Sequence, residues 1–308
     1  MRHTTLKQLR FLSAVIKTGT VTAASSAMNV TPPAITAQVK ALEDLVGLPL
    51  LERVGDRFIA TSAGKEIATT LDRIEALLNE CSGALAEMRE AGSGRVAVGV
   101  VSTARYFAPT VLAAFRKERP KVDIDFIVGN RDETIQRLRN YEVDLAVMGR
   151  PPVEFEVEAK PIGKHPQVMI CAPDHPLAHE RNIPIEALMG ETFLVREVNS
   201  GTRNSFGQMI SQHDGGRDVR EFEMGSNETI KQAVMAGLGI SFISSHTIAA
   251  EVEAGRLVIM DVVGLPLMKT WNVVRRTDKR LLPSAEAMYR FWVEHGGEYL
   301  PKITGHVE

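Results

Sequence analysis

The stretch VTAASSAMNVTPPAITAQVKALEDLV, residues 21–46, decides how the N-terminal end of this chain folds. Val21 to Met28 reads as a short helix with a small-residue face of Ala23, Ala24, Ser25, Ser26 and Ala27, which lets a second helix approach closely. Asn29-Val30 is a tight turn. Thr31-Pro32 then has the form of an N-cap followed by proline at the first helical position, where its missing N–H costs nothing. The helix so begun runs to Val46 and stops at Gly47. At about 100° per residue, Ile35, Val39, Leu42 and Val46 share one side and form the core face. Pro33, Ala37 and Lys40 lie nearly opposite, with Thr36 on the flank.

Working outward, residues 6–17 carry Leu6, Leu9, Phe11, Leu12, Val15 and Ile16 at helical spacing, ended by Gly19. Three short helices with a tight turn between the second and third describe a helix-turn-helix. Residues 48–61 read as a two-stranded wing turning at Gly55-Asp56, with Arg53 and Arg57 near its tip. A small exposed face on the third helix suits base edges, Lys40 suits a phosphate, and an arginine on a wing reaches the backbone or the minor groove. Each feature alone is also compatible with an ordinary solvated surface.

Charge is distributed in the same sense. The whole chain of 308 residues has a formal charge of −2, which by itself argues weakly against a nucleic-acid partner. Residues 1–42 nevertheless hold five basic and no acidic side chains, whereas residues 61–91 hold three basic and six acidic ones. A basic block inside a neutral chain points to a module that faces nucleic acid. Between Thr61 and Ala91, Ile67, Leu71, Ile74, Leu78, Cys81, Leu85 and Met88 repeat at spacings of four and three. That heptad seam predicts two helices packed along their length, most simply this helix and its copy in a second chain, with Cys81 as a small apolar residue.

After a hinge at Gly92-Ser93-Gly94 the pattern alternates between strands and helices. Val96–Val101, Val122–Val128 and Leu145–Met148 read as strands separated by helices at Ala108–Arg119 and Asp132–Asn140. A second run follows, with strands at 168–172, 193–195, 221–224 and 240–243, helices at 203–213 and 226–236, then a strand at 270–274 and a helix at 284–295. Strand–helix alternation means parallel, doubly wound sheet, and two such halves leave a cleft at the strand ends. There stand Ser102-Thr103, Gly129-Asn130, Gly149-Arg150 and, opening a helix, Ser200-Gly201-Thr202-Arg203. Hydroxyls and free N–H groups at helix starts bind anions, and Arg150 and Arg203 offer charge-assisted clamps. The implied ligand is a small carboxylate or phosphate. Ser102, Thr202 and Ser226 could alternatively act as N-caps alone.

Enzyme signatures are missing. Gly237-Leu238-Gly239 follows a helix and lacks the third glycine of a dinucleotide fingerprint, and no nucleophile elbow is present. His165, His175 and His179, flanked by prolines, read as surface residues of a loop, and Cys171 as a packed strand residue. No cofactor and no metal are implied. Two cysteines exclude a disulfide scaffold, no apolar run reaches the ~20 residues of a membrane helix, and the N-terminus lacks a signal-peptide pattern. The expectation is a cytoplasmic protein without a membrane partner.

The stretch from Ala23-Ala24 to Leu42-Glu43, then Gly47-x-Pro49-Leu50-Leu51-x-Arg53 and Thr61-x-Ala63-Gly64, resembles the LysR-type transcriptional regulators over essentially the whole chain. Val101 to Pro109, Met148 to Pro152, Val195-Arg196-Glu197 and Ser200 to Arg203 look like the subgroup that regulates Calvin-cycle (RuBisCO) operons. The resemblance implies a winged helix-turn-helix DNA-binding domain at 1–60, a dimerising linker helix at 61–91 and an effector-binding domain at 92–308. The last would be α/β, two doubly wound lobes of the periplasmic-binding-protein type, lobe I at about 95–167 and 274–304 and lobe II at about 168–273. It implies a homotetramer, a dimer of dimers, on double-stranded promoter DNA, with RNA polymerase as a further partner. A small anionic metabolite between the lobes would alter DNA bending and transcription. DNA-binding positions would be Thr31, Pro32, Pro33, Thr36, Ala37, Lys40 and Arg53, and effector positions Ser102, Thr103, Asn130, Arg150 and Thr202. Many members have glutamine where Pro32 stands and arginine where Ala37 stands, so direct base hydrogen bonding gives way here to apolar, phosphate and shape readout.

Two other functions fit the C-terminal half alone. A solute-binding protein would carry a signal peptide and no helix-turn-helix, and a cleft enzyme would carry a catalytic set. A salt-sensitive mobility shift on upstream DNA separates the regulator from both.

Overall fold

A computed structural model describes residues 3–89, 93–212 and 219–302, with the side chains of residues 86–89 left aside. The chain divides into two compact units, residues 1–82 and 83–308. Met88 of the heptad seam, Gly92 of the hinge and His213 at the end of an expected helix lie outside the described residues or side chains.

The first unit contains α1 (Leu6–Thr18), α2 (Val21–Met28), α3 (Pro32–Val46), the hairpin β1 (Leu51–Val54) and β2 (Arg57–Ala60), and the start of α4 (Ser62–Arg89). Each helix boundary has a local cause. Thr5 and Gln8 form a reciprocal capping box on α1, the Thr20 side chain caps α2, and two prolines open α3. Gly19, Asn29 and Gly47 close the three helices in the left-handed region. The core joins Leu9, Phe11, Leu12 and Val15 of α1 to Ile35, Val39 and Leu42 of α3, the face that rotation along the sequence selects. The Glu43 carboxylate accepts hydrogen bonds from the backbone of Leu50 (2.8 Å) and Leu51 (3.3 Å), which ties the wing to α3. Gly64 sits where a Cβ would come within 2.0 Å of the Leu50 carbonyl oxygen, so only glycine lets α4 start there.

The heptad seam is not uniform. Ile67 and Leu71 are buried in the unit's own core, beside a half-buried Ile74. Leu78 (44% exposed), Cys81 and Leu85 (57% exposed) remain open, joined by Leu77. The expectation of an intermolecular seam over the full length is corrected: its first two turns pack against this chain's own helices.

The second unit is built on β3 (Gly94–Val101), α5 (Ala108–Glu118), β4 (Val122–Gly129), α6 (Arg131–Arg139) and β5 (Leu145–Met148), where β3 pairs in parallel with β4 and β5. Then comes β6 (Val157–Cys171), 15 residues long, followed by β7 (Thr192–Arg196), α7 (Gly201–Ile210), β8 (Arg220–Met224), α8 (Asn227–Met235), β9 (Ser241–Ser244), α9 (Ala249–Glu253), β10 (Val258–Ile259), β11 (Leu267–Arg276) and α10 (Pro283–His295). Strand β7 pairs in parallel with β8 and bridges in parallel to Ile240.

Both β6 and β11 pass from one lobe to the other. The first part of β6 pairs with β11 and its last part with β9 and β10, all antiparallel. The expectation of purely parallel sheets therefore holds within each lobe's βαβ run and fails at the crossing strands. The start of β6 is hard to read in the sequence because Pro161, Gly163 and Pro166 interrupt the strand pattern. Each lobe has a separate core, one around Trp271, Trp292, Phe107 and Phe115, the other around Phe193, Phe206, Met169 and Ile240. Among the described residues no helix is long and apolar enough to cross a membrane.

Candidate functional site

In the first unit the surface opposite the core of α3 carries Thr31, Pro32, Pro33, Thr36, Ala37 and Lys40, all exposed, and Arg53 is exposed on the wing. The first two helical positions, being proline, supply no N–H, so this helix start is a poor anion holder. The Thr36 hydroxyl donates to the Pro32 carbonyl (3.1 Å), leaving its lone pairs and methyl outward. The readable surface is thus apolar with one acceptor and one ammonium. Arg53 is loosely held, donating from Nε to the Gly55 carbonyl (3.1 Å) and standing 3.6 Å from Asp56. Phe58 N donates to the Gly19 carbonyl (2.7 Å) and fixes the wing against the α1–α2 turn. Arg10, counted in the basic block, is held in a bidentate pair by Glu75 of α4 and serves the unit's internal structure.

In the second unit the strand ends converge on one cleft of about 560 Å³. Ser102 and Thr103 begin a 3-10 turn (Ser102–Tyr106) directly after β3, and neither hydroxyl caps it. Asn130 follows β4 and caps α6 in a reciprocal box with Glu133, which fixes its side chain at the rim. Arg150 follows β5 and is exposed. Thr202 lies in the first turn of α7, 4% exposed, and the preceding Ser200 makes no side-chain cap, so the N–H groups of that turn are not taken by it. All five residues expected at the strand ends line this cleft. Ser226, by contrast, caps α8 through Thr229 N and has a local role.

Of four further basic residues, one stands away from the cleft and three line it. Arg203, expected as a clamp, does not line the cleft and pairs with Glu221 on the flank of α7; one helical position past Thr202 turns its side chain away. Arg196 takes the inward position. It is 3% exposed, binds Glu197 through Nε and Nη2 (both 2.7 Å), and donates to Asn227 (2.6 Å) and to Ser102 Oγ (3.1 Å). It therefore fastens the end of β7 in one lobe to the end of β3 in the other. Arg131 and Lys269 also line the cleft, with Glu154 as the acidic side chain among the described lining residues, so the field inside favours anions. An arginine immediately after Asn130 was a signal available in the sequence. Lys269 was not, because its position depends on the pairing of β11 with β6.

The histidine expectation is corrected too. His165 is no loop residue but a buried member of β6, stacked on Trp271 with ring centroids 3.9 Å apart. Burial, then the neighbouring His246 and Lys269, push its imidazole down to about 3, and burial pushes His246 down to about 4. His175 is half-buried near Glu191 and His179 is exposed. Burial pushes the Cys171 thiol up to about 12, which leaves it unreactive at neutral pH. Among the described residues no cluster of His, Cys, Asp or Glu is gathered to hold a metal.

Residues 6–65 match the model of the bacterial regulatory helix-turn-helix proteins of the lysR family, and residues 89–297 match the LysR substrate binding domain. The chain belongs to the LysR family of transcriptional regulators. It is 44% identical over 304 residues to the HTH-type transcriptional regulator CbbR of Xanthobacter flavus, covering 98% of this chain and 91% of that one. It is 40% identical over 290 residues to the RuBisCO operon transcriptional regulator of Allochromatium vinosum, covering 94% and 95%. Among solved structures it resembles the regulatory domain of CcmR from Synechocystis PCC6803 in complex with 2-PG, with a TM-score of 0.60 and 34% identity over 65% of this chain and 95% of that one. As a LysR-type regulator the chain pairs a helix-turn-helix DNA-binding unit with an effector-binding unit.

Proposed function

We propose that the cleft is the effector site of this regulator and that its effector is a small anionic metabolite held by Ser102, Thr103, Asn130, Arg150 and Thr202. The observation that carries this reading is the convergence of five residues from four separate strand or helix ends on one cation-rich cleft. Two hydroxyls free of capping duty and the first turn of α7 supply donors for an anion. Arg131 and Arg150 supply charge. The CcmR domain's complex with 2-PG, at 34% identity, supports an anionic compound in this region of the fold. The residues named offer binding groups, and the serine paired with His165, Ser244, is fully buried and does not line the cleft, which favours a regulator over an enzyme.

On the DNA side, Thr31, Pro32, Pro33, Thr36, Ala37 and Lys40 enter the major groove and Arg53 meets the backbone or minor groove. Base reading is by apolar contact, and Lys40 holds a phosphate. The open Leu77, Leu78, Cys81 and Leu85 stripe of α4 supports pairing with a second chain.

A thermal-shift titration with 2-PG tests the effector site. The wild-type protein is expected to gain stability and Thr202→Ala to lose most of that gain; an equal shift in both removes Thr202 from the site. A mobility-shift assay on upstream DNA tests the other unit. Lys40→Ala is expected to weaken binding to all sequences alike, and a changed sequence preference would refute the phosphate assignment.

A further inference from the structure

The floor of the cleft holds polar groups that the strand ends do not use. Strands β6 and β11 run antiparallel there, with His165 opposite Lys269. His165 is 5% exposed and lies face to face with Trp271 at an interplanar angle of 17°. Trp271 is fixed in turn: its Nε1 donates to His246 Nδ1 (3.0 Å), and Phe107 meets it edge-on at 5.1 Å. The stack thus fixes the plane of the His165 imidazole.

In that orientation its two nitrogens differ. Nε2 lies 3.0 Å from Ser244 Oγ. Nδ1 has no hydrogen-bond partner among the described residues and borders Gly149 of the cleft wall, where an added Cβ would stand 3.1 Å from it. Ser244 is fully buried, and its hydroxyl proton is satisfied when it is donated to Nε2. That assignment leaves the proton of the neutral ring on Nδ1, beside Gly149 of the cleft wall. Two residues on along the same face of β6, Gln167 is 3% exposed and its Oε1 is likewise unpaired among the described residues. Orphaned buried polar atoms are costly and rare in native folds. Two of them, side by side on a cleft floor beside the Lys269 ammonium, point to a ligand.

We propose that His165 is a specificity-determining contact of this cleft, donating from Nδ1–H to an anionic oxygen of the effector with Lys269 alongside. The favoured effector then carries two anionic groups, one held at the helix starts and one at the floor. Gln167 accepts a hydroxyl or acid proton next to the second group. The inference rests on the reading of the cleft as the effector site. Burial together with the positive charges nearby keeps the ring neutral at physiological pH, so the contact is a directed hydrogen bond and not a mobile cation.

The test is calorimetric titration of the full chain with 2-PG, succinate and butyrate, the last two being a dianion and a monoanion of equal chain length. Wild type is expected to bind 2-PG or succinate at least ten-fold more tightly than butyrate. His165→Gln puts an amide at the Nε2 position, where its oxygen can accept from Ser244, and loses the donor at Nδ1; it is expected to bind the dianion about ten- to a hundred-fold more weakly, the range for a lost hydrogen bond to a charged group, with butyrate unchanged. His165→Asn puts an amide near the Nδ1 position and should recover part of the loss. Because these variants disturb a stacked core, a second readout leaves His165 intact. Trp292→Phe leaves Trp271 as the sole indole of the chain, and its emission is expected to shift when the dianion binds and to stay still with butyrate.

Equal dianion affinity in His165→Gln and wild type, or a silent Trp271 during binding proven by heat, overturns the proposal while the cleft reading stands. Failure of all three compounds to bind wild type at millimolar concentration, or Thr202→Ala binding like wild type, overturns the cleft reading and this inference with it.

Discussion

Replacing Arg196 by methionine should loosen the effector-binding unit measurably and selectively. The guanidinium is 3% exposed and makes two bonds to Glu197, one to Asn227 Oδ1 and one to Ser102 Oγ. Methionine fills most of the volume and keeps none of them. Asn227 is 4% exposed and would retain a buried, unpaired oxygen at about 1–3 kcal/mol; Glu197 is 24% exposed on its side chain, so water recovers part of its loss and its contribution is discounted. Ser102, partly open to the cleft, regains water as well. The net cost is about 2–4 kcal/mol, below the full penalty for breaking a buried pair. For a unit of this size that is roughly 5–15 °C in the midpoint of its unfolding transition. Differential scanning calorimetry of the full chain reads this directly, and the transition of the helix-turn-helix unit should stay in place. Arg196→Lys keeps the charge but cannot fork between Glu197, Asn227 and Ser102, so it should recover less than half. A methionine variant melting within a degree of wild type would refute the argument, because those four bonds would then contribute nothing to the stability of the unit.

Four other outcomes are expected. Gly64→Ala should abolish DNA binding at moderate temperature by forcing α4 away from the Leu50 carbonyl, read as a lowered helix-turn-helix transition; an unchanged transition would refute the steric argument. Replacing operator thymines by uracil, which removes one methyl each, should weaken binding about five-fold or more at positions touched by Pro33 or Ala37; no loss at any thymine would refute apolar readout. Leu78→Arg should shift the protein to a smaller species in sedimentation, since it charges an open seam position, whereas Leu71→Arg should unfold the first unit. Between pH 6.5 and 5 the effector-binding unit should lose stability: His165 and His246 titrate lower when folded than unfolded, so the unfolded chain takes up protons first, at about 2 kcal/mol per histidine by pH 5. Carboxylates titrate mostly below that window, and a midpoint that rises on acidification would contradict the burial of these rings.

Local signals carried the first unit almost completely. The caps, the glycine stops and the rotation of Ile35, Val39 and Leu42 are properties of near neighbours in sequence, so the helix-turn-helix and its exposed face are legible in the sequence. The strand-end hydroxyls were legible for the same reason, because strand and helix boundaries announce themselves in polarity and turn residues. The heptad seam was read correctly as apolar and wrongly as uniform. Periodicity shows which side chains must be covered but not which surface covers them, and Ile67 and Leu71 found their partners within this chain.

Only tertiary structure decided what lies beneath the strand ends. Whether Arg196 or Arg203 faces the cleft is settled by a helix start and a strand end, five and more residues apart, meeting in space. His165 looked like a loop residue between Lys164 and Pro166. It became a buried, oriented ring because β11, over a hundred residues later, supplied Trp271 to stack on it and Lys269 to stand opposite. The sequence by itself determined which elements form and which of their ends carry anion-binding chemistry, since both depend on local backbone geometry. The pairing of β6 with β11 determined the floor of the cleft, since cross-strand neighbours are set by long-range register that no local pattern encodes.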